Sequence, residues 1–135
     1  MRELSVRLKL NVLKGNVAGK RIIMVDDSIV RGTTSGKIVK MLKDAGAREV
    51  HIRVASPPVT DPCFFGIDTP DKNKLVAAYH SIEEICEMTG ADSLGYLSVE
   101  GMLEAIGIGK DKICTACFTG DYPMELPELD MDLED

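Results

Sequence analysis

The chain has few aromatic residues and no apolar run long enough to cross a membrane. Of its 135 residues none is Trp, three are Tyr and three are Phe. The core must therefore be aliphatic, drawn from the 44% of the chain that is hydrophobic. No apolar run approaches the roughly 20 residues of a membrane-spanning helix, and the N-terminus lacks the apolar stretch of a signal peptide. We therefore expect a cytoplasmic protein with no membrane partner.

Positive charge is also scarce. The chain has 16 Lys and Arg residues against 22 Asp and Glu residues, which gives a net charge of −6, and the basic residues form no stripe. Such a chain repels the phosphates of nucleic acids, so we expect no nucleic-acid partner. A phosphate ligand should instead be bound locally, through backbone N–H groups.

Length and apolar periodicity predict one α/β domain with a mainly parallel sheet and flanking helices. Alternation over residues 4–12 predicts a strand with one buried face. The continuous apolar run of residues 22–25 suits a central parallel strand covered on both faces. A helix with apolar residues from 38 to 45 should follow, then a strand over residues 50–54, which together make a βαβ unit. Thr33, Thr34 or Ser35 can cap this helix, and Gly46 can end it.

The second half of the chain has clear helix and turn signals. Four prolines exclude regular structure from residues 56–70, and a short helix is expected over residues 75–79. Residues 81–84 form a capping box that opens a helix ended by Gly90. A short strand at residues 94–97 and a helix at residues 99–106 complete the domain, which we place at residues 1–126. We expect residues 127–135 to be an acidic mobile tail.

The most informative segment is residues 22–35, a buried strand followed by a polar loop and a helix N-terminus. In open α/β sheets ligands bind at the carboxyl ends of strands, and a helix N-terminus offers free N–H groups to a phosphate. Adjacent carboxylates, Asp26 and Asp27, can accept hydrogen bonds from a sugar diol or hold Mg²⁺. A lone acidic pair after a strand is more often a solvated turn. The full arrangement is much more specific for a sugar phosphate.

These residues resemble the phosphoribosyl pyrophosphate (PRPP) motif of type I phosphoribosyltransferases. The amino-acid sequence of residues 25–34 is similar to that of the motif in glutamine PRPP amidotransferases. The resemblance continues through four further blocks in the same order, at residues 55–58, 62–68, 91–97 and 114–120. It implies the C-terminal part of a type I phosphoribosyltransferase fold.

The resemblance also implies a reaction and the residues that carry it. The family replaces pyrophosphate at C1 of PRPP with ammonia from glutamine and so forms 5-phosphoribosylamine, the first committed step of purine biosynthesis. Asp26 and Asp27 would be the catalytic pair, binding the ribose hydroxyls and placing Mg²⁺. The PRPP-binding residues would be Asp26, Asp27, Ser28, Ile29, Val30, Arg31, Gly32, Thr33 and Thr34. Purine nucleotides are further expected ligands.

The cysteines suggest a second site. Cys114 and Cys117 have the two-residue spacing that lets both sulfurs reach one metal, although a redox pair or two buried residues would show the same spacing. The resemblance implies that Cys63, Cys114 and Cys117 are ligands of a structural [4Fe–4S] cluster, with the fourth ligand outside this chain. We expect all three in loops. Cys86 lies within a predicted helix and should be a buried small residue.

Parts of the resembled family have no counterpart in this sequence. The glutaminase portion, the pyrophosphate-binding loop and the lid over PRPP are missing. We therefore expect a fragment or one part of a split enzyme, which makes no phosphoribosylamine alone and exposes a sheet edge where missing strands would pair. Partners would be the glutaminase portion or other copies of the chain. The alternatives are a non-catalytic PRPP or nucleotide-binding module and a subunit-assembly module.

Overall fold

The computed structural model describes residues 11–126, and the helices and strands follow the predicted order closely. The strand predicted over residues 4–12 lies mostly outside the described residues, and Asn11 and Val12 are not in a strand. The acidic tail at residues 127–135 also lies outside them. The strands are β1 (Arg21–Asp26), β2 (Glu49–Val54) and β3 (Ser93–Tyr96). The helices are α1 (Lys14–Val17), α2 (Thr33–Asp44), α3 (Ile82–Thr89), α4 (Val99–Ile106) and α5 (Ala116–Thr119), with 3₁₀ turns at Lys72–Lys74, Val76–Ala78 and Lys110–Lys112.

The strands form one parallel sheet in the order β1-β2-β3. Asp26 pairs with Val54, and Val54 pairs with Tyr96, so the carboxyl ends of all three strands meet at one edge. The loop that follows Asp26 therefore leaves the sheet at the edge where ligands bind in open α/β folds. The predicted parallel sheet with helices beside it is confirmed.

The core lies between the sheet and helices α2 and α3, and it is aliphatic as predicted. Its buried members come from the loop after β1, both helices, β2 and the 3₁₀ turn at Val76–Ala78, and they are Ile29, Val39, Val50, Ile52, Val54, Val76 and Ile85. The only aromatic residue packed against this cluster among the described residues is the partly buried Tyr96. Burial raises the pKa of Tyr96 to about 12, and its buried hydroxyl has no hydrogen-bond partner within residues 11–126.

Strand β1 differs from its prediction as a central strand covered on both faces. Among the strands of residues 11–126 it lies at one edge of the sheet, and Ile23 and Val25 are 69% and 72% exposed. The continuous apolar run is compatible with burial on both faces, but no described helix packs against the face that bears these two side chains. Of the three described strands β2 alone has neighbours on both sides, so it is the central one of the three.

The helix ends were predicted well, with one exception. A capping box joins Ser81 and Glu84 at the start of α3, and Gly90 ends that helix in the left-handed conformation. Helix α4 has the predicted bounds. Helix α2 instead has Gly32 at its N-cap, with φ 75° and no side-chain cap. Its C-terminal end is as predicted, because Gly46 follows the C-cap in the left-handed conformation, with φ 95°, and its N–H donates to the Lys43 carbonyl. The three candidate N-caps are therefore wrong, because the left-handed turn at Gly32 places Thr33, Thr34 and Ser35 inside the helix.

Candidate functional site

The loop between β1 and α2 encloses the site that the sequence predicted. Residues 26–35 line a hollow of about 320 Å³ at the carboxyl edge of the sheet. All nine predicted PRPP-binding residues are among them, together with Ser35. The strand delivers the acidic pair to one end of the hollow, and the first turn of α2 forms the other end.

The two carboxylates of the hollow are held differently. Asp26 Oδ1 accepts a hydrogen bond from the Asp27 backbone N–H at 3.0 Å, and Asp26 Oδ2 accepts one from the Ser35 hydroxyl at 3.1 Å. Asp27 is exposed, and its Oδ1 accepts only a longer bond of 3.3 Å from the Ser28 hydroxyl. Asp26 is therefore fixed in orientation, whereas Asp27 is free to turn toward a ligand.

Ser35 is a site residue that the sequence analysis considered only as a helix cap. It is 3% exposed, and its hydroxyl joins the first turn of α2 to the end of β1. A serine in this first turn is also compatible with an ordinary solvated position, so only the side-chain geometry distinguishes its role. Ser35 sets the direction of the Asp26 carboxylate.

The loop is held in place at Ile29 and Val30 and again where α2 begins. The Ile29 side chain is 1% exposed in the core, so at this position only the backbone remains for a ligand. The Val76 N–H donates to the Val30 carbonyl at 2.9 Å. The first intrahelical bond of α2 runs from the Gly36 N–H to the Gly32 carbonyl. The N–H groups of residues 33–35 precede that bond and remain available to an anion.

The donor set suits a magnesium ion shared with a phosphorylated ligand. Mg²⁺ is commonly bound by one or two carboxylates, with water and substrate phosphates completing its octahedron. Asp26 and Asp27 supply such carboxylates. No cluster of three or more His, Cys, Asp or Glu side chains that could hold a metal occurs within residues 11–126. The protein therefore supplies two oxygen-bearing side chains at this place and not a complete cage.

The predicted cluster cysteines lie on two segments that contact each other. Cys63 lies in the proline-rich loop and Cys114 in the short loop directly before α5, as predicted. Cys117 lies in helix α5, which corrects the expectation of a loop. The Cys117 carbonyl accepts hydrogen bonds from the N–H groups of Thr60 and Asp61 at 3.0 and 3.1 Å. These bonds hold the two segments together, but the described cysteines do not close a metal site on their own.

The sulfur atoms have different surroundings. The Phe65 N–H donates to Cys63 Sγ at 3.5 Å, and the N–H groups of Phe65, Ile67 and Gly66 lower the pKa of the Cys63 thiol below its ordinary value. Burial raises the pKa of Cys117, and the nearby charge of a Cys63 thiolate raises it further. Hydrogen bonds of this kind stabilise a thiolate, which is the form that binds metal.

Cys86 is separate from the other three cysteines. It lies in α3, is half-buried, and its Sγ donates to the Ala91 carbonyl at 3.3 Å. Burial raises the pKa of its thiol. The prediction of a small residue packed in a helix is consistent with this environment.

No protein-family model matches the sequence. Curated relatives match it closely over most of its length. The chain is 59% identical over 128 residues to an amidophosphoribosyltransferase of Synechococcus elongatus, covering 95% of the chain and 26% of that protein. It is 57% identical over 129 residues to one of Archaeoglobus fulgidus, covering 94% of the chain and 28% of that protein. The chain thus spans about a quarter of the length of these relatives.

Solved structures extend the likeness to the fold. A glutamine PRPP amidotransferase from B. subtilis, complexed with ADP and GMP, matches with a TM-score of 0.79 and 52% identity, over 90% of this chain and 29% of that one. A structure described as the allosteric regulatory enzyme of purine biosynthesis matches with a TM-score of 0.81 and 49% identity, over 90% and 28% of the respective chains. The chain has part of the type I phosphoribosyltransferase fold, and over nearly its whole length it is related to a segment of the amidophosphoribosyltransferases.

Proposed function

We propose that this chain carries the ribose-phosphate-binding part of an amidophosphoribosyltransferase. The complete enzyme would transfer ammonia from glutamine to C1 of PRPP, releasing pyrophosphate and forming 5-phosphoribosylamine in the first committed step of purine biosynthesis. This is a glycosyltransferase reaction, and we expect the complete enzyme to act in the cytoplasm. The names of the relatives support this assignment, and the four free cysteines agree with a reducing compartment.

The hollow at residues 26–35 is the observation that carries the proposal. Its acidic end suits the ribose 2- and 3-hydroxyls, and its helical end suits the 5-phosphate. Asp26, oriented by Ser35, would accept hydrogen bonds from the ribose. The backbone N–H groups and hydroxyls of residues 28–34 would hold the phosphate.

The same residues would assist the transfer at C1. Loss of pyrophosphate leaves positive charge on the ribose ring, and carboxylates beside the ring stabilise that charge. Asp26 and Asp27 would also hold Mg²⁺, which when bound neutralises charge on the leaving pyrophosphate. Asp27 is free to serve this second role because only the Ser28 hydroxyl contacts its carboxylate among the described residues.

We propose further that Cys63, Cys114 and Cys117 bind a [4Fe–4S] cluster, whose fourth ligand comes from outside this chain. The N–H···S contact at Cys63 and the bonds that join residues 60 and 61 to Cys117 support this assignment. The cluster would be structural, since the transfer moves no electrons. Purine nucleotides are proposed ligands of the complete enzyme, consistent with the ADP and GMP in the B. subtilis structure.

Calorimetric titration of the chain with PRPP and Mg²⁺ tests the ribose-phosphate site. The D27N substitution should weaken binding at least tenfold, or about 1.4 kcal/mol, since the ribose and the ion lose a carboxylate. The matched D111N variant changes an exposed acid in the 3₁₀ turn at Lys110–Lys112, which does not line the hollow, and should bind as the parent does. The chain should form no phosphoribosylamine from ammonia and PRPP. Equal binding by D27N and the parent would contradict the assignment.

A subunit-assembly role is the second candidate, and the exposed face of β1 favours it. Ile23 and Val25 place adjacent apolar side chains on a sheet face that no described element covers. The glutaminase portion or another copy of the chain would cover this face. Co-expression with the N-terminal portion of a relative should give a complex that I23K disrupts. The control K20E changes an exposed residue just before β1 and should not disrupt it.

A further inference from the structure

We infer that Tyr122 is a positioning residue that holds the loop bearing Cys63 against the segment bearing Cys114 and Cys117. This inference rests on the proposed cysteine-ligated cluster. Tyr122 follows α5 by three residues, and its hydroxyl donates to the Pro62 carbonyl at 2.7 Å. The two residues are sixty positions apart in the sequence. The bond thus joins the residue directly before Cys63 to the segment that follows Cys117.

Tyr122 makes its contacts through both ends of its side chain. Its ring lies 5.4 Å from the Phe64 ring and 6.3 Å from the Phe65 ring, with interplanar angles of 58° and 55°. Tilted aromatic pairs at such distances are attractive. Phe64 and Phe65 directly follow Cys63, so Tyr122 contacts the residues on both sides of that cysteine. Burial and then the charge of Asp61 raise the pKa of Tyr122, so its hydroxyl keeps the proton that it donates.

The other bonds between these segments do not reach Cys63, whose own N–H donates to the Thr69 hydroxyl at 2.6 Å within its loop. The Thr60 and Asp61 N–H groups donate to the Cys117 carbonyl, but both residues precede Pro62. Proline has no N–H group, so its carbonyl is the one backbone group through which residue 62 can be held. Within the described residues Tyr122 is the partner of that carbonyl. Loss of the hydroxyl should therefore loosen Cys63 relative to Cys117, while the ring contacts and the bonds at residues 60 and 61 remain.

Cross-linking with dibromobimane measures this positioning without any metal. The reagent either bridges two thiols or modifies each thiol separately, and mass spectrometry gives the ratio of the two products. The full chain carrying C86S and C114S retains Cys63 and Cys117 as its only thiols. In this background the bridged product should predominate. Adding Y122F should lower the ratio of bridged to separate products roughly fivefold, the effect expected from losing one hydrogen bond.

Two controls separate positioning from general loosening of the fold. Y79F removes the hydroxyl of a tyrosine that is 63% exposed and, within the described residues, makes no side-chain hydrogen bond to the loop of Cys63, so it should leave the ratio unchanged. In a chain that keeps Cys86, iodoacetamide should modify this helix α3 thiol at the same rate with and without Y122F. A structural effect of Y122F on the whole domain would instead accelerate the modification of Cys86.

The outcomes distinguish the role of Tyr122 from the proposed grouping of Cys63 with Cys117. A parent chain that forms no bridged product would overturn both the grouping of the cysteines and the role of Tyr122. Bridging that is equal in the parent and Y122F would overturn the role of Tyr122 alone. A fall in bridging accompanied by faster modification of Cys86 would also overturn it, because the residue would then act on the fold as a whole.

Discussion

The hydrogen bond from Ser35 to Asp26 provides a quantitative test of how the hollow is built. The bond measures 3.1 Å, its donor is 3% exposed, and its acceptor is a carboxylate. A hydrogen bond to a charged group contributes about 1.5–3 kcal/mol to stability. In S35A the Asp26 oxygen faces an open hollow and regains water, which favours the lower part of this range. Alanine also favours a helix over serine by about 0.5 kcal/mol. The net loss should be about 1–1.5 kcal/mol.

Urea denaturation followed by circular dichroism measures this loss. A slope of about 2 kcal/mol/M converts it to a fall of roughly 0.5–0.8 M in the unfolding midpoint. The matched variant S28A removes an exposed 3.3 Å bond to Asp27 and should change stability by less than about 0.5 kcal/mol. In a double-mutant cycle S35A and D26A should be coupled by about 1 kcal/mol. Equal midpoints for S35A and the parent, or additive effects in the cycle, would refute the role given to Ser35.

The remaining predictions concern a buried hydroxyl and an ion pair. Y96F should be neutral or stabilise the domain by up to about 1 kcal/mol in the same urea assay, because the Tyr96 hydroxyl is buried without a partner among the described residues; clear destabilisation would point to an ordered water there. Burial alone would raise the pKa of Asp61, but the hydrogen bond from Lys72 at 2.5 Å helps to outweigh it and the pKa is lowered. The stability from this lowered pKa is present above the ordinary value of 3.8 and is lost as the pH falls through the folded value. The stability difference between the parent and K72M should therefore be largest near pH 6 and shrink below pH 3.8, whereas a constant difference would contradict the ion pair.

Local signals made much of the fold predictable. The capping box at Ser81 and Glu84 and the left-handed Gly90 specify the ends of α3 through residues that are neighbours in the chain. The hollow was predictable for the same reason, since residues 26–35 are contiguous and a strand-to-helix connection brings them together. In each case the residues that form the sequence pattern are also the residues that contact one another in the structure.

Features that depend on distant residues were not predictable. The place of β1 in the sheet depends on which strands pair with it, and its apolar run is equally compatible with a central or an edge position. The start of α2 was missed although its cause is local, since the left-handed Gly32 places Ser35 inside the helix with its hydroxyl on Asp26. The contact between Tyr122 and Pro62 has no local pattern at all.

The two proposed sites therefore depend on the rest of an enzyme to different degrees. The ribose-phosphate hollow is formed by one loop. The buried Ile29 side chain anchors this loop in the core, and the hydrogen bond from the Val76 N–H supports it at Val30. Such a site can keep its shape in a chain that spans a quarter of its relatives. The cysteine site requires two segments held by tertiary contacts, and its fourth ligand would come from elsewhere. The chain by itself should therefore bind PRPP but retain no cluster, and addition of the N-terminal portion should increase iron binding far more than phosphate binding.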